Sequence, residues 1–237
     1  MKPVLVVRFA RTEGPGHFAT FLAGHGVEWK LVALDEGDPV PASSAPYSGL
    51  GFMGGPMSAN DELAWTQPAL ALMRDAVRRG VPVVGHCLGG QMLARALGGT
   101  VSRNPVREIG WVPVRVEDNA TADTWFGDIE GFAAFQWHED AFAVPPGGER
   151  ILTGRHCPNQ AYVVDGRHLG MQCHVEMTAE MIETWCRIGV SDIGESFGKS
   201  PAVQDAPTIR ALMPENLPPL TAAASRLYAR WIEGLRR

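Results

Sequence analysis

The chain has 237 residues, 45% of them hydrophobic and 20% charged, which is enough apolar material for one large core and an ordinary balance for a globular protein. Its formal net charge of −5 argues against nucleic acid as a partner, because phosphate binding needs clustered Lys and Arg. No apolar run reaches the length of a membrane span and no leader pattern opens the chain. Cys87, Cys157, Cys173 and Cys186 show no C-x-x-C spacing, so the expectation is a reduced cytoplasmic protein without disulfides, metal or membrane attachment.

Val4 to Phe9 reads as a buried strand, polar only at Arg8, and a helix through Phe18, Phe21 and Leu22 ends at Gly24 and Gly26. Trp29 to Leu34 is a second strand, and Asp38 to Pro46 is a surface loop. Tyr47 to Met53 is a third strand, running into Gly54-Gly55-Pro56. A helix from Pro68 carries Ala69, Leu72, Met73, Ala76 and Val77 on one face and stops at Gly80. Its last turn holds Arg78-Arg79, which complement the helix dipole. Val81 to Val84 is a short central strand, followed by a helix from Gly90 to Leu97. This alternation predicts an α/β fold: a doubly wound, mostly parallel, flavodoxin-like sheet with helices on both faces.

From Ile109 the texture turns to strands: Trp111 to Val116, Ala133 to Trp137, Ile151-Leu152, Tyr162 to Val164 and Leu169 to His174. Thr178 caps a helix with Ile182, Trp185 and Cys186 on one face. Ser191 to Pro219, dense in Gly, Pro and polar residues, is expected to be irregular. Ala222 to Leu235 is expected to be helical, with Leu227, Trp231 and Leu235 on one face. The expected organisation is one α/β domain over residues 1–190, with 191–237 a C-terminal helical extension packed on it.

The strongest chemical signal is Gly85-His86-Cys87-Leu88-Gly89-Gly90-Gln91, between the apolar strand and a helix. A nucleophile on such a turn is exposed by a strained backbone that needs small neighbours, which Gly85 and Gly89 supply. The helix N-terminus favours the thiolate, and the amide of Leu88 points where an oxyanion would develop. An isolated cysteine beside a turn is more often inert packing; the flanking glycines after a strand favour the nucleophile.

Downstream stands Gln172-Cys173-His174-Val175-Glu176. In a strand, His174 and Glu176 share one face and Cys173 and Val175 the other, so one element can supply a base and the carboxylate that fixes its tautomer. Alone, such a pair is more often a surface pair or a satisfied core histidine. Gly54-Gly55-Pro56 by itself reads as a turn; at the carboxyl end of a strand, its amide can also serve as a second oxyanion donor.

Together these motifs resemble the class I glutamine amidotransferase family, in particular members similar to the glutaminase part of GMP synthetase. The family's G-x-C-x-G-x-Q is met by Gly85, Cys87, Gly89 and Gln91, its Q-x-H-x-E by Gln172, His174 and Glu176, and its strand-end glycine before proline by Gly55-Pro56. The resemblance implies a Cys87-His174-Glu176 triad that attacks the γ-amide of glutamine or a γ-glutamyl compound and forms a thioester that water hydrolyses. It implies further that the Gly55 and Leu88 amides hold the oxyanion and that Gln91 contacts the glutamyl moiety. The chain departs from the family at Cys173 and in the loop Phe135 to Asp140, where Trp137 and His138 are candidates for substrate contact and equally for core or rim. The leading expectation is a hydrolase of glutamine or a γ-glutamyl amide that needs no cofactor. The alternatives are a glutaminase subunit feeding ammonia to a separately encoded synthetase, and an inactive relative that binds a metabolite or partner. A cysteine protein of the chaperone-protease type does not require the Q-x-H-x-E element.

Overall fold

The computed structural model of the protein describes residues 2–236. In its first half, strands β1 (Val4–Arg8), β2 (Trp29–Ala33), β3 (Gly49–Phe52) and β4 (Val83–His86) are joined by α1 (Gly16–Gly24) and α2 (Thr66–Arg79), and α3 (Leu88–Ala96) follows β4. The second half runs β5 (Val101–Val116), α4 (Ala120–Phe126), β6 (Gly131–Phe142), β7 (Gly148–Gly154), β8 (Ala161–Val164) and β9 (His168–Met171). The chain then closes with α5 (Ala179–Ile188), α6 (Val190–Ser196), β10 (Ala202–Val203) and α7 (Ala206–Ile232).

The sheet order is β10-β5-β7-β8-β9-β4-β3-β1-β2, with β6 pairing β5 off that path. From β2 to β9 the strands are parallel, and from β9 to β5 they are antiparallel. Strand alternation divides the core between the two faces of the sheet. Val4 and Val6 join α1, α5 and α7 in one cluster, while Leu5 and Val7 join α2 and α3 in the other. This is the α/β architecture expected from the alternating elements. The chain passes from β1 to β2 on one side and then crosses back to β3 on the other side of β1, so the crevice at the carboxyl ends of β1 and β3 is the topological switch point, where open sheets take ligands.

Three local expectations need correction. The stretch 191–219 is not irregular: it holds α6, β10 and the first half of α7, which starts at Ala206 rather than Ala222. Pro214, Pro218 and Pro219 look like breakers, yet each is exposed and frees a carbonyl one turn earlier on the solvent side, where water can satisfy it. The Asp205 side chain caps the helix by accepting from the Thr208 amide, and burial of Ile209, Leu220, Leu227, Tyr228 and Trp231 holds it in place. β5 begins at Val101, ten residues before the expected start at Trp111, and tolerates Pro105 at an irregularity in its pairing with β6 between Arg103 and Glu108. β9 ends at Met171, so His174 and Glu176 lie beyond the strand in irregular chain that bends at Gln172, Cys173 and Glu176.

α7 ends at Ile232 rather than the expected Leu235, and Trp231 of the helix and Leu235 just beyond it lie so close to Gly49 that a Cβ there would come within 2.7 Å of one and 2.6 Å of the other. Tyr228 reaches through to β4 and shares a 2.8 Å hydrogen bond with His86 Nε2. No helix among the described residues is long and apolar enough to cross a membrane.

Candidate active site

β4 ends at His86 and α3 begins at Leu88, so Cys87 alone makes the turn. Its backbone has φ 47° and ψ −107°, a conformation that costs a non-glycine residue about 1–3 kcal/mol and persists only where the surroundings enforce it. They do so by close approach. A Cβ on Gly85 would overlap the backbone of Gly89, and one on Gly89 would overlap the Phe52 carbonyl. The Cys87 amide donates to Met171 O at 2.8 Å and the Gly89 amide to Met53 O at 3.1 Å, which ties the turn to both neighbouring strands. The Leu88 amide belongs to the first turn of α3, whose N–H groups have no partner within the helix. The buried Leu88 side chain packs on Gly55, where an added Cβ would lie 2.6 Å from Leu88 Cδ2.

His174 reaches the turn from beyond β9, held by a bridge whose 2.9 Å hydrogen bond runs from its amide to Phe135 O. Its Nδ1 lies 2.7 Å from Glu176 Oε1, and both side chains are buried. Burial alone would push the imidazole pKa down. The Glu176 carboxylate, the Cys87 sulfur and hydrogen bonds to both more than offset this and hold His174 well above its ordinary value. Glu176 shows the complementary shift: burial raises it, but the charge of His174 and the hydrogen bond to its ring bring it below the usual carboxylate range. Glu176 Oε2 has no partner among the described residues. Trp185 of α5 stands edge-on to the His174 ring at 4.8 Å and 86°. Cys173 and Val175 are wholly buried in the core cluster.

The Cys87 thiol opens into a cleft of about 960 Å³, lined on one side by Glu13, Gly55 and Met57 and on the other by Trp137, His138 and Asp140. Gln91 lines it too, but its amide is already engaged with Asp140 O at 3.0 Å and Gln172 Oε1 at 3.2 Å, and Gln172 in turn donates to Cys87 Sγ at 3.6 Å. Trp137 donates from Nε1 to Asp192 at 3.1 Å and meets Trp185 edge-on. His138 is fixed at both nitrogens, Nδ1 on Asp140 O at 3.0 Å and Nε2 on Glu108 at 2.9 Å. All eight sequence candidates therefore lie around one cleft end, Cys87, Gly55, Gln91, Trp137 and His138 facing the cleft itself, His174, Glu176 and Leu88 behind its wall.

Glu108 and His138 form, with Cys157, the one group of three donors close enough to hold a metal ion among the described residues. The set has the chemistry of a zinc ligand sphere. Here, however, both His138 nitrogens are hydrogen-bonded, and Glu108 Oε2 accepts from His138 and from Gln160 at 3.1 Å. Cys157 is fully buried, and burial together with Glu108 pushes its thiol up to about 12.

Glu13, Trp185 and Glu108 were not legible as site residues. Trp185 reads as one more apolar position on a helix face, and Glu108 as one polar residue in a strand. Glu13 did have a signal: it lies in the loop after β1, at the switch point of the sheet.

Residues 20–184 match the model of the class-I glutamine amidotransferases. A glutamine amidotransferase from Methylobacillus flagellatus has the same structure at TM-score 0.97 and 46% identity, covering 100% of this chain and 96% of that one. One from Thermotoga maritima superposes at TM-score 0.86 with 25% identity over 98% of each. Among curated relatives, the glutamine amidotransferase-like protein YfeJ of Salmonella typhimurium is 25% identical over 74% of this chain and 75% of its own length. The GMP synthase of Aeropyrum pernix is 31% identical over 77% of this chain, but the match spans only 35% of that enzyme.

Proposed function

This chain belongs to the class-I glutamine amidotransferase family, and on that premise we propose that it hydrolyses the γ-glutamyl amide of glutamine or a γ-glutamyl compound, with Cys87 as nucleophile. The observation that carries the reading is the strained turn that presents Cys87 to the cleft, with the His174-Glu176 pair acting on its sulfur. In the proposed sequence Cys87 Sγ attacks the amide carbon, and the Gly55 and Leu88 amides donate hydrogen bonds to the oxyanion. His174 protonates the departing amine. The imidazole then takes a proton from water, whose attack on the thioester releases glutamate and restores the thiolate.

A second Cys-His-Glu set exists, Cys157-His138-Glu108, and physical reasons speak against it as the reacting group. Its thiol is sealed from the cleft, its pKa is raised rather than lowered, and its imidazole is held by Asp140 and Glu108. Trp137 and His138 are proposed to shape the wall that receives the glutamyl group. We further propose that residues 191–237 are an extension of the same domain, since α7 supplies Tyr228 and Trp231 to the core beneath the site.

The subunit reading stays in play for one reason. Ile188, Val190 and Phe197 are 54%, 65% and 51% exposed, and Ile188 borders the cleft mouth, an apolar rim of the kind that docks partners. Glutamate release from glutamine and a panel of γ-glutamyl amides by the purified chain tests the proposal. Silence toward all of them, with activity appearing only when a synthetase chain is added, replaces it with the subunit reading.

A further inference from the structure

Glu13 projects from the loop between β1 and α1 into the cleft that Cys87 lines. Its carboxylate takes the space over Gly54 that a side chain would fill: a Cβ on Gly54 would overlap it and stand 2.9 Å from His174 Cε1. Among the described residues, the Glu13 side chain makes no hydrogen bond and no ion pair. His174 is thus flanked by two carboxylates in different roles. Glu176 holds Nδ1, while Glu13 lies by Cε1, the carbon between Nδ1 and the nitrogen that serves Cys87. Cε1 is bonded to Nε2, the nitrogen from which the ring would deliver its proton to a departing amine.

Building on the hydrolase reading, we propose that Glu13 is a catalytic acid on the leaving-group side, which converts the released amine to its ammonium and so prevents its return to the thioester. Acylation of Cys87 releases neutral ammonia beside an acyl group, where it is a better nucleophile than water. The Glu13 carboxyl gives it a proton, leaving a carboxylate and an ammonium ion that has no lone pair to attack with. After hydrolysis the new γ-carboxylic acid loses a proton, Glu13 regains one as the ammonium leaves, and the sum is amide plus water giving carboxylate plus ammonium.

The surroundings suit a carboxyl that changes protonation near neutrality. Burial raises it, the positive His174 lowers it, Glu176 raises it again, and the result is about 7. The other charged groups lining the cleft have partners of their own, Arg103 with Glu139, Arg107 with Asp192 and Glu195, His138 with Glu108, Asp140 with the Ser58 hydroxyl and Lys199 with the Glu195 carbonyl, and the Cys87 thiol shares the cleft floor.

The test measures return of the amine directly. The whole chain is given glutamine or γ-glutamyl p-nitroanilide as donor with ¹⁵N-ammonium, at constant free ammonia, and ¹⁵N-glutamine formed per glutamate released is counted by mass spectrometry. At about pH 6, where a carboxyl of pKa near 7 is mostly protonated, Glu13→Gln should raise that ratio about tenfold or more, the scale of a single proton-transfer group. The wild-type ratio should climb toward the variant's as pH rises through 7, and the variant's should stay flat. Alkylation of Cys87 by iodoacetamide at the lower pH should be alike in both, since protonated Glu and Gln are both neutral. Equal ratios in the two proteins, or a matching change in alkylation, overturn the role of Glu13. A wild type that releases no glutamate from either donor overturns the hydrolase reading and this role with it.

Discussion

Replacing Glu176 with Gln separates an orienting carboxylate from one that takes part in the chemistry. The substitution keeps the shape but removes the charge 2.7 Å from His174 Nδ1. Loss of an orienting carboxylate can be severe when its amide leaves the imidazole in the wrong tautomer. Here Glu176 Oε2 has no partner, so the new NH₂ can turn toward that side and leave the carbonyl to accept from Nδ1–H. The difference is then a charged against a neutral hydrogen bond, about 1–2.5 kcal/mol, or roughly a five- to seventyfold fall in kcat/KM. His174→Ala removes the proposed proton carrier itself and should cost about 10²–10⁴-fold, toward the upper end because on this reading the sulfur also loses its activator. The pH profile gives an independent readout. With Glu176 gone, the burial that lowers His174 is no longer opposed by the carboxylate, so the ring loses its proton at lower pH and the alkaline limb of kcat/KM moves down. In stability the sign is opposite. A carboxylate whose folded pKa is depressed stabilises the protein above its unfolded pKa, and that contribution is lost as pH falls through the folded value. The variant should lack that acid-side loss in thermal melts. Equal losses of kcat/KM from Glu176→Gln and His174→Ala would refute the orienting role.

Cys87→Ala should abolish glutamate release, and a glutamine-like electrophile should label Cys87 alone, which peptide mapping can read against the buried Cys157, Cys173 and Cys186. Tyr228→Phe leaves His86 Nε2 without its partner when Nδ1 already has none, and should cost about 1–3 kcal/mol in urea unfolding with a lower Tm. Glu108→Gln weakens the hold on His138 Nε2 while sparing Cys87, so KM for the best γ-glutamyl donor should rise about fivefold to tenfold with kcat little changed.

The fold was legible where a local rule decides. Short apolar runs alternating with amphipathic segments specify parallel units, and the two faces of β1 sort Val4 and Val6 from Leu5 and Val7 as a period of two requires. It was not legible in α7, because proline propensity is a local term and the burial of Leu220, Tyr228 and Trp231 is a tertiary one. When three exposed prolines cost only carbonyl bonds that water can replace, the tertiary term wins. The same contest explains β5, whose Pro105 falls in the stretch where pairing with β6 is already irregular.

Within the candidate site the dividing line is whether a residue's constraint comes from its own neighbours in the chain. Gly85 and Gly89 can be read from sequence because the Cys87 turn admits no Cβ on either side of it, a demand written within five residues. His174 and Glu176 came from strand alternation although no strand reaches them. The outcome still matches in placement, although the chain bends there: Cys173 and Val175 enter the core while the other two meet each other, with the His174 bridge to Phe135 holding the segment. Glu13 has no such neighbours. Its environment is made by Gly54 and His174, which approach from the ends of two other strands, and nothing near residue 13 encodes that meeting. What does encode it is topology. Once β1 and β3 are recognised as the strands flanking the switch point, the first polar residues after each of them become candidates. The loop after β1 then offers Thr12 and Glu13 to the same crevice to which the loop after β3 brings Gly55. The Glu13 carboxyl is half-buried and faces the cleft with no protein partner among the described residues, so an entering group can meet it there, and the amine that the proposed hydrolysis releases at His174 is the group against which Glu13 should be tested.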